Sequence, residues 1–244
     1  MKHIQKGHPP VFSEDCVKKT SDRFSGHPPG NHQDYQRLRG ATYDDYPCPE
    51  EWSKVLLKEQ GYLCAYTMMR IEKTGLGFMK REHIQPQNNT SKNDLNHKNV
   101  VAVCMGNEGT EKKDQYADTR KGEKRLHFIS PLHSDCERLI LYRDNGEIYS
   151  KNENVLQELV DDYLERPKHY SVLNLNHQSL IGARYAAWEV VKRDLTNRAS
   201  GADWRLQDIK DYIEKFKKRD AESNFQAFCC FVIHRLEKAL KSRT

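Results

Sequence analysis

The sequence predicts an α+β protein, mostly helical, in which a strand, strand, helix (ββα) unit is followed by a β-hairpin and a C-terminal helical region. Three observations carry this. Extended residues around His83 and the apolar run Val100 to Val103 read as two strands, and the polar segment beginning near Asp118 reads as the helix after them. Leu139-Ile140-Leu141-Tyr142 and Glu147-Ile148-Tyr149 flank Asp144-Asn145-Gly146, which signals a β-hairpin. From about Asn154 onward, apolar residues recur at the three- and four-residue spacing of an amphipathic helix.

Each segment follows from its own pattern. Residues 1–50 contain Pro9-Pro10, Pro28-Pro29-Gly30 and Pro47 among polar residues with little periodicity, which reads as an extended docking arm ordered against a partner. Residues 51–150 hold an opening helix from Pro49-Glu50-Glu51-Trp52, with Trp52, Val55, Leu56 and Tyr62 as its stripe, then the ββα unit and the hairpin. Residues 151–244 form the helical region. Its stripes are Val155, Leu156, Leu159, Val160 and Tyr163; Leu180, Ala183, Arg184, Ala187, Trp188 and Val191; and Ile209, Tyr212, Ile213 and Phe216, punctuated by Pro167 and Gly201. These faces pack on the ββα unit or bind another protein.

At 244 residues the chain can bury one good core or two small ones. Its seven cysteines are odd in number and irregularly spaced, and Met1 to Pro10 is polar and basic, so reduced thiols and a cytoplasmic location are expected. No apolar run approaches the roughly twenty residues of a membrane span. A net charge of +5 is too mild to establish nucleic-acid binding by itself.

The chemistry concentrates between Leu63 and Gly122, where Glu82-His83-Ile84, Asn99 and Asp118 follow the turn Leu63-Cys64-Ala65-Tyr66-Thr67. Phosphodiester hydrolysis at neutral pH needs a base for water and a cation for the charge that builds on phosphate oxygens. His83 is the candidate base. Glu82 and Asp118 are hard oxygen ligands suited to Mg2+ or Mn2+ rather than to a catalytic zinc. Asn99 has a positional role, through hydrogen bonds to the loop or to the imidazole. Lys80-Arg81, Lys112-Lys113, Arg120-Lys121 and Lys124-Arg125 make a basic collar that would bind phosphates without reading sequence; Lys80, Arg81, Arg120 and Lys121 are its nearest members. Lys121 alone reads equally well as a solvated charge. No Gly-x-x-x-x-Gly-Lys-Ser/Thr loop is present, so any ATP hydrolysis must come from elsewhere.

These residues resemble an HNH endonuclease core, and the wider pattern resembles the PtuB-type HNH nucleases of the Septu anti-phage system. The similarity takes in Leu56 to Tyr66 before the core, and Pro131-Leu132, Leu173-Asn174-Leu175-Asn176 with Arg184, and Phe228 to Ile233 after it. It implies a ββα-metal fold, His83 as general base, Asn99 as the central Asn, and Glu82 and Asp118 as metal ligands. It further implies a nuclease subunit working beside a PtuA-type ATPase; some relatives sit in retron systems with a reverse transcriptase and a noncoding RNA–DNA hybrid. Substrates of such cores include DNA and RNA, transfer RNA among them.

The departures from the pattern are specific. Many HNH proteins staple the ββα unit with two cysteine pairs around zinc, but Thr67 stands three positions after Cys64, and Ala117 stands before Asp118 where a fourth cysteine belongs. Two thiolates do not close a tetrahedral site, so no structural zinc is expected, and packing of Leu63, Tyr66, Met68, Ile71 and Val100 to Val103 must hold the unit instead. His97 reads as a loop residue, and His3, His8, His27 and His32 as surface loop. Cys229-Cys230 reads as a pair of buried small hydrophobes. The competing class is a catalytically silent HNH-like subunit that recognises nucleic acid or assembles a complex.

Overall fold

The computed structural model of the chain describes residues 1–21, 29–38, 41–72, 74–75, 77–86, 94–161 and 170–243. His27, Tyr163 and Pro167 lie outside them.

Two short helices, α1 (Glu14–Ser21) and α2 (His32–Arg37), precede α3 (Pro49–Glu59). Proline in the first turn of α3 has a preset φ and no amide to leave unpaired, while Glu50 and Glu51 at its start and Lys58 near its end suit the helix dipole. Trp52, Leu56 and Leu57 form its fully buried face. Against that face lies a two-stranded antiparallel ribbon, β1 (Lys80–His83) with β2 (Val100–Val103), in the register Lys80 to Val103 and His83 to Val100. All four residues of β2 are fully buried, each valine removal of side chain from water being worth roughly 1.5–3 kcal/mol. A 3₁₀ turn, His97–Asn99, leads into β2, and a second, Lys112–Asp114, precedes the short helix α4 (Ala117–Lys121). The strand, strand, helix order read from the sequence is present. Gly106 fixes the approach of α4 to β2: its φ is +58°, and a Cβ there would sit 2.1 Å from the Tyr116 carbonyl oxygen.

Beyond α4 come α5 (Cys136–Leu139), the hairpin β3 (Leu141–Tyr142) and β4 (Ile148–Tyr149), and the helices α6 (Glu153–Leu159), α7 (Gln178–Ala199), α8 (Leu206–Lys217) and α9 (Cys229–Lys241). Asn152 caps α6 by accepting from the amides of Asn154 and Val155. The predicted stripes are buried: Val155 and Leu159, Leu180, Trp188 and Val191, and Ile209, Tyr212, Ile213 and Phe216. α9 packs against both α7 and α8. Arg184 is buried, and its guanidinium donates to the carbonyls of Gly146 and Leu175, tying the hairpin turn to α7. Among the described residues no helix is long and apolar enough to cross a membrane.

The amino-terminal segment departs from the extended arm read from the sequence. It folds onto the chain's own core: Ile4 N–H donates to the Pro131 carbonyl at 2.8 Å, Lys6 Nζ lies 2.6 Å from Glu59 Oε2, and Phe12, Tyr35 and Tyr46 are buried. These aromatic rings supply the burial that the polar composition hides, Tyr46 packing edge-on to Phe12 and Tyr35 and tilted against Trp52. His32, read as a surface residue, lies in this cluster at 1% exposure. Cys16 on α1 and Cys48 before α3 are joined by a disulfide, against the expectation of reduced thiols throughout, and Glu51 lies beside them. Cys229 is fully buried at the start of α9 and Cys230 partly so.

Candidate functional site

Alternation along β1 decides the layout of the site. Successive strand side chains point to opposite faces, so Lys80 and Glu82 share one face and Arg81 and His83 the other. The contacts agree with this. Glu82 and Lys80 meet α4, whereas Arg81 and His83 meet Tyr43, whose ring lies edge-on to His83 at 4.9 Å.

On the α4 face, the carboxyl groups of Glu82 and Asp118 adjoin each other. Burial, and then the adjacent Asp118, push Glu82 up to about 8, with Lys121 opposing. Tyr66 Oη donates to Glu82 Oε1 at 3.2 Å, and Lys121 Nζ lies 2.6 Å from the same oxygen. Lys121 also donates to the carbonyls of His83 and Gly122 at 3.4 Å each. It is 2% exposed, so it is neither the phosphate contact nor the solvated charge that its sequence position suggests. Lys80 Nζ lies 3.6 Å from Asp118 Oδ2 and 2.9 Å from Glu108 Oε1, and donates to Thr119 Oγ1 at 3.0 Å.

On the other face, His83 Nε2 lies 2.9 Å from the Asp94 carbonyl oxygen. A carbonyl only accepts, so Nε2 holds the proton and Nδ1 keeps the lone pair of the neutral ring. Burial moves the His83 pKa down, which favours that neutral form. Asn99 clamps the turn after β1: its Oδ1 accepts from Gln85 N–H at 2.9 Å and its Nδ2 donates to the Gln85 carbonyl at 3.0 Å. Of its two sequence-predicted roles, binding the loop is the one present.

Two members of the collar need correction. Arg120 is 1% exposed and forms a buried ion pair with Asp161 at 2.6 Å, with further hydrogen bonds to the carbonyls of Lys112 and Ser171. A guanidinium so enclosed holds the α4 region to the segment around Ser171 and cannot meet a phosphate. Arg81 donates to Tyr43 Oη, the Pro49 carbonyl and Ser53 Oγ at 3.0 to 3.2 Å, and stacks on Tyr43 and Trp52. Lys112, Lys113, Lys124 and Arg125 are exposed.

At the staple positions, Cys104 N–H donates to Cys64 Sγ at 3.3 Å, and Thr67 Oγ1 lies 3.7 Å from Cys104 Sγ. Leu63, Tyr66, Met68 and Ile71 are buried around them. His97, read as a loop residue, is buried, with Nδ1 accepting from Trp52 Nε1 at 2.9 Å and Nε2 2.8 Å from Glu59 Oε1. Sequence reasoning gave no role to Asp94 and only a packing role to Tyr66, since each meets β1 from a distant segment.

The donor chemistry of Glu82 and Asp118 fits a hard divalent cation. In this structure Lys121 supplies the positive charge on Glu82 Oε1, so a metal ion would have to share that carboxylate or displace the ammonium. Among the described residues, three groups of ligand type converge at metal spacing only at Cys16, Cys48 and Glu51, and there the two sulfurs are joined in the disulfide and offer no thiolate. A scan of known protein families and a search of curated proteins found no match to this chain.

Proposed function

We propose that the chain is a metal-dependent HNH-type endonuclease with a ββα-metal core. What supports this best is the pair of adjoining carboxyl groups, Glu82 and Asp118, on the α4 face of β1, followed in sequence by a neutral, tautomer-fixed His83 on the opposite face. Mg2+ or Mn2+ held by Glu82 and Asp118 would supply positive charge for the phosphate oxygens. His83 takes a proton from the attacking water at Nδ1, because its Nε2 proton is committed to the Asp94 carbonyl. Asn99 keeps the chain after His83 in place by holding both backbone groups of Gln85.

The resemblance to PtuB-type proteins extends the proposal to a nuclease subunit of anti-phage defence, acting with a PtuA-type ATPase and, in a retron setting, with a reverse transcriptase and its RNA–DNA hybrid. A second reading, a silent assembly or binding subunit, is favoured by Lys121, whose ammonium holds the position on Glu82 that a cation would take. Cleavage assays separate the two. The chain, alone and assembled with such an ATPase, is incubated with Mg2+ or Mn2+ and plasmid, single-stranded DNA or transfer RNA. Cleavage that disappears in His83→Ala supports the nuclease; no cleavage of any substrate, or cleavage unchanged by that substitution, contradicts it.

A further inference from the structure

Much of the collar read from the sequence is engaged inside the protein. Arg120 and Lys121 are buried, Arg81 is bound to Tyr43, Pro49 and Ser53, and Lys80 to Asp118, Glu108 and Thr119. Lys112, Lys113, Lys124 and Arg125 remain exposed, but the members nearest His83 do not offer free charge to a polyanion. Two adjoining clefts beside the Gln85 and Asn99 clamp have the chemistry to supply it. The larger, of about 640 Å3, runs from Lys6 and His8 to Lys98. The smaller, of about 290 Å3, runs from Lys98 past Gln85 and Asn99 to His133. Both include Asn96 and Lys98 in their walls, so they meet at the 3₁₀ turn that leads into β2.

The walls are selective in charge. Although the chain carries 35 acidic residues, no Asp or Glu among the described residues lines either cleft. Beside the apolar Ile84, Leu132 and Pro9, the lining is lysine, histidine, amide and hydroxyl, groups that donate hydrogen bonds to phosphate oxygens. Lys6 is fixed at one end, its ammonium held by Glu59 and the Val100 carbonyl. Lys98, His8 and His133 are exposed and able to follow a ligand. An elongated, acid-free surface that reaches Gln85, two positions after the proposed base, matches a polymer of phosphates better than a single small anion.

We propose that these clefts form one groove holding the sugar-phosphate backbone of a nucleic acid strand, with Lys98 and His133 as its phosphate contacts. This rests on the nuclease reading for its biological sense, but its test does not need cleavage. Fluorescence anisotropy of the full chain carrying His83→Ala is measured with a labelled strand of roughly 20 nucleotides, as DNA and as RNA, across a salt series. Lys98→Glu with His133→Glu should weaken binding at least about tenfold, and Lys98→Gln should lower the salt slope by about 0.7. Lys192→Glu, which makes the same lysine-to-glutamate change as Lys98→Glu at an exposed position on α7, should leave binding unchanged. If the double variant does not fold, as judged by circular dichroism, Lys98→Gln with His133→Gln carries the same test. Binding within about twofold of the parent in the folded groove variant, or an equal loss in Lys192→Glu, overturns the groove. Groove-dependent binding together with an inert wild-type protein would retain the groove and reject the nuclease.

Discussion

Lys121 Nζ lies 2.6 Å from Glu82 Oε1 with both side chains buried, so the candidate metal site carries its own cation. Burial and Asp118 already raise Glu82 to about 8, and loss of Lys121 lets it take up a proton. Lys121→Met should therefore lower unfolding stability in chelator by roughly 1–3 kcal/mol, the cost of a buried polar group without its partner. Mn2+ should restore more stability to the variant than it adds to the wild type, because it then meets Glu82 and Asp118 without a rival. Urea melts with and without Mn2+ check this, and an equal metal effect on both proteins would count against competition.

His32 sets an acid limit on the amino-terminal segment. Its Nε2 lies 2.6 Å from the Leu95 carbonyl, so that nitrogen donates and Nδ1 accepts from Tyr46 Oη at 2.8 Å. Protonation would convert Nδ1 into a second donor in a buried aromatic cluster. Burial holds the pKa down at about 4, against 6.5 for the ordinary side chain. The folded value is the depressed one for a base, so the neutral ring's contribution is complete above pH 6.5 and is lost as pH falls toward 4. The loss is about 3 kcal/mol at most. Denaturant melts from pH 7.5 to 4 should show that slope, and His32→Gln should flatten it.

Arg120 is a structural cation in this fold. Arg120→Ala should cost about 3–5 kcal/mol through the stranded Asp161 carboxylate. In conditions where the variant remains folded, the salt dependence of nucleic-acid binding should be unchanged. A salt slope reduced by about one phosphate contact would return Arg120 to the collar.

The Cys64, Thr67 and Cys104 cluster gives the HNH resemblance a direct test. If Thr67 and Ala117 stand where staple cysteines belong, Thr67→Cys with Ala117→Cys should create a four-thiolate site that binds one zinc per chain. Elemental analysis reads the result. A double variant that takes up no more zinc than the parent would argue that the four positions do not converge as an HNH staple does.

Local pattern foretold the elements better than it foretold the environments of charged residues. The Asn-Gly turn, the Val100 to Val103 strand and the stripe of α8 are properties of neighbouring residues, and the structure has them. Arg120 and Lys121 looked like surface because charge usually is; their burial depends on Asp161, 41 positions away, and on Glu82 across the ribbon. His97 looked like loop because its partners, Glu59 and Trp52, are 38 and 45 positions away. The amino-terminal segment showed no periodicity, since Phe12, Tyr35 and Tyr46 are buried singly from irregular backbone and short helices. Asn99 could be assigned a positional role from its chemistry, but only the fold shows that Gln85 is what it holds.

Manganese binding to the purified chain, followed by electron paramagnetic resonance, decides whether Glu82 and Asp118 hold a metal ion. One Mn2+ should bind per chain, with binding abolished by Glu82→Gln and by Asp118→Asn and kept in His83→Ala. Binding that survives both carboxylate substitutions, or no binding by the wild-type protein, would contradict that assignment.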